Sequence, residues 1–188
     1  MLGILVYSRP GGLLAHKLSR TILDERQIAE GVSRVAAGID TDLDGRPVLL
    51  VGILKGSVFF LSDLARQLRS PVTIDFLQVS SYGEGTRSSG NVRVVRDLST
   101  DVAGRNVVVV EDVVDTGRTL EKIVGMLRDR GPATLRVCAL LRKPGAPPVD
   151  YVGFEIEDRF VVGYGLDVAE RYRNLPYVAA VEEEGDEE

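Results

Sequence analysis

The chain has 188 residues, 44% of them hydrophobic and 27% charged, which suits one globular domain with a substantial core. Its formal net charge of −5 argues against a nucleic-acid binder held by bulk charge, but the last seven residues, EEEGDEE, carry six acids and no bases. Without them 22 acids face 23 bases, so the body is close to neutral. A single cysteine, Cys138, excludes an internal disulfide and a cysteine-built metal site. No apolar run approaches the ~18 residues of a membrane span. A cytoplasmic location is therefore expected.

In chain order, residues 1–20 show no clear period and read as a loosely held arm, possessing the only histidine, His16. Asp24, with Gln27 three residues on, forms a capping-box pattern and opens a helix whose apolar residues run from Ile28 to Leu43. Val48–Leu54 is wholly apolar and rich in branched residues, as befits a strand buried on both faces, and Lys55-Gly56 breaks it. A helix follows, with Ser57 as a candidate cap, and then a strand over Val72–Val79. Residues 80–90, SSYGEGTRSSG, read as a mobile loop. Val92–Val95 reads as a short strand.

The strongest signal is Asn106–Leu120, NVVVVEDVVDTGRTL: a buried strand, two acids, a turn and a helix running to about Arg130. Leu135–Leu141 is another buried strand, followed by a proline- and glycine-rich loop and short strands at Tyr151–Phe154 and Phe160–Gly163. This alternation predicts an α/β protein with a mainly parallel central sheet flanked by helices. Ligands of such sheets bind at the C-terminal strand ends, where Lys55-Gly56, Glu111-Asp112 and Arg142-Lys143 fall.

The turn Asp115-Thr116-Gly117-Arg118-Thr119 offers backbone N–H groups, two hydroxyls and a helix N-terminus to a phosphate. By itself it reads equally well as an ordinary helix start capped by Asp115 or Thr116. The acids beside it shift the balance, because Glu111 and Asp112 are costly at the end of a buried strand and suit sugar hydroxyls or Mg²⁺. There is no GxxxxGK[ST] P-loop and no complete Rossmann fingerprint.

VVVVEDVVDTGRTL resembles the phosphoribosyl pyrophosphate (PRPP) signature of type I phosphoribosyltransferases. Leu54-Lys55-Gly56 is similar to their pyrophosphate loop, and SSYGEGTRSSG to their flexible lid. LLRKP with DYVGFEIEDRFVVGYGLDVAERYRNLPY resembles the base-side segment of hypoxanthine-guanine phosphoribosyltransferases. The likeness runs from about Ile22 to Val181. It implies the type I phosphoribosyltransferase fold over 21–181, a lid at about 80–91, a small hood region for the base, and a tail at 182–188 outside the domain.

The resemblance further implies transfer of the phosphoribosyl group of PRPP to a 6-oxopurine, giving a purine 5′-nucleotide and pyrophosphate with Mg²⁺. Asp115, Thr116, Gly117, Arg118 and Thr119 would hold the ribose 5′-phosphate, and Glu111 and Asp112 the ribose hydroxyls, partly through Mg²⁺. Lys55, Gly56 and Arg173 would meet pyrophosphate; in the family the peptide before this lysine is often cis. Lys143 would donate to the purine O6, Phe160 would stack on the ring, the Val161 backbone would meet the base edge, and Asp167 would bind a second Mg²⁺. Asp115 is also the candidate general base near N7, and Ser81 and Tyr82 belong to the lid. Dimers or tetramers, with no nucleic-acid or membrane partner, complete the expectation. From the residues alone, Lys143 could be a solvated strand-end lysine and Phe160 core. Likewise, Asp167 could cap a helix near Val168 and form a surface ion pair with Arg173. Two other functions stay open: an RNA-binding regulator of pyrimidine genes on the same fold, and a transferase acting on xanthine.

Overall fold

The computed structural model describes residues 18–82 and 91–182, with the side chains of 81, 82, 91 and 92 left aside. The elements are β1 (Leu18–Leu23), α1 (Glu25–Leu43), β2 (Val48–Leu54), α2 (Val58–Gln67), β3 (Val72–Tyr82), β4 (Asn91–Arg96), β5 (Asn106–Val114), α3 (Arg118–Arg128), β6 (Thr134–Arg142), β7 (Tyr151–Glu155), β8 (Val161–Val162) and β9 (Val178–Val181).

Six strands form the main sheet in the order β4-β3-β2-β5-β6-β7, all parallel except β4, which lies antiparallel on β3. The apolar runs of β2 and β5 have the expected cause. Leu50, Val108 and Val110 pack on the face covered by α1 and α2, while Leu49, Val51, Val107 and Val109 pack on the α3 face with Ile123 and Leu127. A strand buried on both sides has no polar alternation to show. Helix α1 begins as predicted: Asp24 accepts from the Gln27 N–H at 2.8 Å, and the Gln27 side chain accepts from the Asp24 N–H at 2.9 Å. It lies close on β7, where a Cβ on Gly31 would collide with the Phe154 ring.

Several local expectations differ from what the chain does. Leu18–Arg20, expected in the arm, belong to β1, which pairs antiparallel with β9 to form a small second sheet in the order β1-β9-β8. The pairing is between distant segments, so local periodicity carries no trace of it. The loop expected from Ser80 starts later: β3 continues to Tyr82, opposite Asn91 of β4, because ladder pairing overrides the weak strand preference of the serines. The rest of the expected lid, 83–90, lies outside the described residues, as do 1–17 and 183–188. Ser57 stands at the start of α2 but caps nothing; its buried hydroxyl donates back to the Ile53 carbonyl at 2.7 Å. No helix follows Asp167. Residues 163–172 form successive tight turns, with left-handed backbone at Gly163, Tyr164, Gly165, Ala169, Glu170 and Tyr172.

Candidate active site

The parallel order brings the C-terminal ends of β2, β5 and β6 together, with the 163–173 turns folded back over them. The Leu54–Lys55 peptide after β2 is cis, and Gly56 sits buried against β5. Two close approaches set this corner. A Cβ on Gly56 would overlap the Asp112 carboxylate, and a Cβ on Gly165 would overlap the Gly56 carbonyl oxygen. Gly165 also has φ +105°, open in practice to glycine alone. Gly56, Asp112 of β5 and Gly165 of the 163–173 turns are thus in direct contact.

At the end of β5, Glu111 is buried at 9% exposure and Asp112 is partly buried. Burial pushes the Glu111 carboxyl well above its ordinary range, and the neighbouring Asp112 charge adds to the effect. Burial also raises Asp112; its own N–H contacts and the Arg173 guanidinium pull the other way, and Asp167 adds repulsion. Carboxyls held above their ordinary range are relieved by a cation. Among the described residues, no three acidic, histidine or cysteine side chains converge into a ready-made metal cage. That donor set suits Mg²⁺, which takes one or two carboxylates and completes its shell with water and substrate phosphate oxygens.

Past the acids, Gly117 is the N-cap of α3, in left-handed backbone at φ 72°. Neither Asp115 nor Thr116 caps the helix, as the bland alternative required; no side chain does. The first-turn N–H groups, starting at Arg118 and Thr119, are therefore free of a capping oxygen and open to an anion. Pro147, from the loop after β6, packs on Gly117 so closely that a Cβ would collide with its ring. Asp115 and Thr116 are exposed beside this turn.

Lys143 follows β6, its backbone N–H donating to the Val114 carbonyl at 3.0 Å. Its side chain is only 13% exposed, which removes the reading of a solvated strand-end lysine, and its Nζ lies 3.5 Å from Asp115 Oδ2 and 3.1 Å from Asp158 Oδ1. Phe160 is 49% exposed, so it is no part of the core, whereas the next side chain, Val161, is buried. Arg173 pairs with Asp167 at 2.6 Å and donates to the Gly165 carbonyl at 2.7 Å. Both partners are about three-quarters buried, so this is not a surface ion pair.

Three residues of the site escaped sequence reasoning: Asp158, Gly165 and Glu170. Asp158 holds Lys143, and Glu170 pairs with Lys55 at 3.0 Å. The charged residues Asp167, Glu170 and Arg173, spaced by three, were the available signal. A cavity of about 470 Å³ lies elsewhere, between α1, α2 and the Tyr164–Pro176 segment, and meets this crevice at Tyr164 and Arg173 of the 163–173 turns.

An uncapped helix start, buried acids beside it and a largely buried lysine paired with Asp115 suit a transferase acting on a phosphorylated sugar. The phosphoribosyl transferase domain family matches residues 19–169. The chain belongs to this phosphoribosyltransferase family, with the type I fold expected from its sequence. Within the family it stands among the hypoxanthine-guanine enzymes. It is 39% identical over 173 residues to the hypoxanthine-guanine phosphoribosyltransferase of Bacillus subtilis, covering 90% of this chain and 96% of that one. It is 42% identical over 185 residues to that of Mycobacterium avium, covering 93% and 91%. A crystal structure of a hypoxanthine-guanine phosphoribosyltransferase from Bacillus anthracis superposes with a TM-score of 0.85 at 40% identity, over 88% of this chain and 100% of that one. The chain also matches the bifunctional protein TilS/HprT of Listeria monocytogenes, at 42% identity, but spans only 26% of its length.

Proposed function

We propose that this chain transfers the 5-phosphoribosyl group of PRPP to hypoxanthine or guanine, forming IMP or GMP and releasing pyrophosphate. The observation that carries the reading is the uncapped start of α3 at Gly117, set beside the buried acids of β5 and opposite Lys143. The 5′-phosphate would sit on the N–H groups and hydroxyls of Thr116–Thr119, with the helix dipole favouring its charge. Glu111 and Asp112 would accept from the ribose hydroxyls, in part through Mg²⁺, and Asp167 would hold a second Mg²⁺; these ions would supply positive charge for the departing pyrophosphate. Lys55 and Arg173 would add to that neutralisation from the protein side.

Loss of pyrophosphate leaves oxocarbenium character on the sugar, which excess water would trap, so a lid containing Ser81 and Tyr82 fits the chemistry. On the base side, Phe160 would offer its exposed face to the purine and the Val161 backbone would meet its edge. Lys143 can only donate hydrogen bonds, so it suits a 6-oxo acceptor and disfavours the 6-amino group of adenine. Asp115, 3.5 Å from the same lysine, would take up the proton at N7 as the new bond forms. The same reading takes the enzyme to be a cytoplasmic homodimer or homotetramer. No described helix is long and apolar enough to cross a membrane.

The test is nucleotide formation from PRPP, Mg²⁺ and a panel of hypoxanthine, guanine, xanthine and adenine, by the wild type and Lys143→Ala. The wild type should use hypoxanthine and guanine and reject adenine, and the variant should lose that discrimination. A variant that still separates guanine from adenine as sharply would overturn the role given to Lys143. Preferential use of xanthine would move the enzyme to that base.

A further inference from the structure

Glu170 sits on one of the turns folded over Gly56, and its Oε2 serves two cations at once. It lies 3.0 Å from Lys55 Nζ and 3.6 Å from Arg173 NH2. These are the two basic groups to which the proposed function gives the pyrophosphate, and the inference rests on that assignment. Arg173 is otherwise oriented by Asp167 and the Gly165 carbonyl, and its Nε is buried without a hydrogen-bond partner. The Glu170 N–H donates to Asp167 Oδ2 at 2.8 Å, tying Glu170 to the same corner.

The backbone shows that this placement is built in. Ala169, Glu170 and Tyr172 have φ of 50°, 61° and 72°, three left-handed positions of which none is glycine, each at a cost in free energy. A turn that only reversed the chain would do so more cheaply with glycine. Here the strained residue presents a carboxylate to the two cations.

We propose that Glu170 is an internal stand-in for the pyrophosphate: it neutralises Lys55 and Arg173 whenever no polyanion is bound and is displaced when one arrives. Lys55 and Glu170 are 56% and 67% exposed, so their bond is solvent-screened and weak enough to exchange. Without Glu170, Lys55 would meet the Arg173 guanidinium, which Asp167 and the Gly165 carbonyl hold in place, and would drift from it. With Glu170 between the two cations Lys55 stays placed, and the returning carboxylate competes with the product for the same groups. Glu170 is thus a positioning residue that loosens pyrophosphate, favouring its release.

The experiment is titration calorimetry of inorganic pyrophosphate against the wild type, Glu170→Gln and Glu30→Gln. Glu30 forms an exposed pair with Arg26 on α1, and its substitution controls for one unit of net charge. Glu170→Gln should bind pyrophosphate about two- to ten-fold more tightly than the wild type, the range expected from two screened ion pairs. That gain should shrink with added salt, and Glu30→Gln should match the wild type. A damaged site would bind more weakly, so the direction separates release of the cations from mere disruption. Unchanged or weaker binding in Glu170→Gln, or an equal gain in Glu30→Gln, would overturn the proposal. A wild type that binds no pyrophosphate would instead overturn the assignment of Lys55 and Arg173 on which it rests.

Discussion

The contact between Gly165 and Gly56 gives the sharpest perturbation of this site. Alanine at 165 would place a methyl group inside the contact distance of the Gly56 carbonyl oxygen and 3.0 Å from its carbon, both rigid backbone atoms. It would also force a side chain into φ +105°. The conformational strain is worth about 1–3 kcal/mol, and overpacking against an unyielding neighbour about 1–3 kcal/mol more. The sum is roughly 2–6 kcal/mol, a fall in melting temperature of about 4–24 °C for a domain of this size. Gly104 is the matched control: it has φ +68° and nothing within 4 Å of its missing Cβ, so Gly104→Ala carries strain alone. It should lose only about 2–12 °C and keep full turnover. Thermal denaturation and steady-state assays on the two variants separate strain from contact. Because relief at 165 must push the 163–173 turns away from the Lys55 loop, Gly165→Ala should also lose turnover and affinity for PRPP. Equal melting shifts for the two variants, with wild-type turnover in Gly165→Ala, would refute the idea that this contact holds the site together.

Two further outcomes follow from the same geometry. Asp115→Asn keeps the shape beside Lys143 but cannot accept the purine proton, so kcat should fall about 10²- to 10⁴-fold while the KM for PRPP changes little; turnover within a few-fold of wild type would remove Asp115 as the base. Asp75 is a structural carboxylate on the other side of the molecule: it accepts from the N–H groups of Phe76, Ser99 and Thr100 and from the Ser99 hydroxyl, fixing the 97–102 loop. Burial pushes its pKa up, yet these donors outweigh burial and leave it below the ordinary 3.8. Its folded value is thus depressed, so its contribution is present above pH 3.8 and lost as the pH falls through the folded value. Asp75→Ala should cost about 1–3 kcal/mol at neutral pH, and melting curves should show the gap to wild type closing in acid; a pH-independent gap would show that the ionised carboxylate is not what matters.

Much of this molecule was legible in its residues, for a physical reason. The β5 segment combines a run of four valines with two acids and leads into a glycine turn, a local pattern costly anywhere but at the end of a buried strand. Lys55-Gly56 and the Asp24 capping box were equally local. What stayed hidden depends on distant neighbours. Nothing in LSRTIL announces a strand, because its partner is 161 residues away where the Ser19 hydroxyl donates to the Ala180 carbonyl. Asp158 and Glu170 look like ordinary surface acids until the fold brings Lys143 and Lys55 to them. The helix that Asp167 could have capped does not form, because left-handed backbone at Ala169, Glu170 and Tyr172 breaks it and none of these is a glycine to mark it.

The small sheet has a consequence for the order in which the protein can become competent. Its central strand is β9, with β1 on one side and β8 on the other. The strand that follows Phe160 therefore has no neighbour until Val178–Val181 has left the ribosome. Strands β2, β5 and β6 and the turn into α3 are complete by Arg142. A growing chain would thus finish the crevice at the strand ends of the main sheet well before the segment that carries Phe160 and Val161 gains the partner that fixes it.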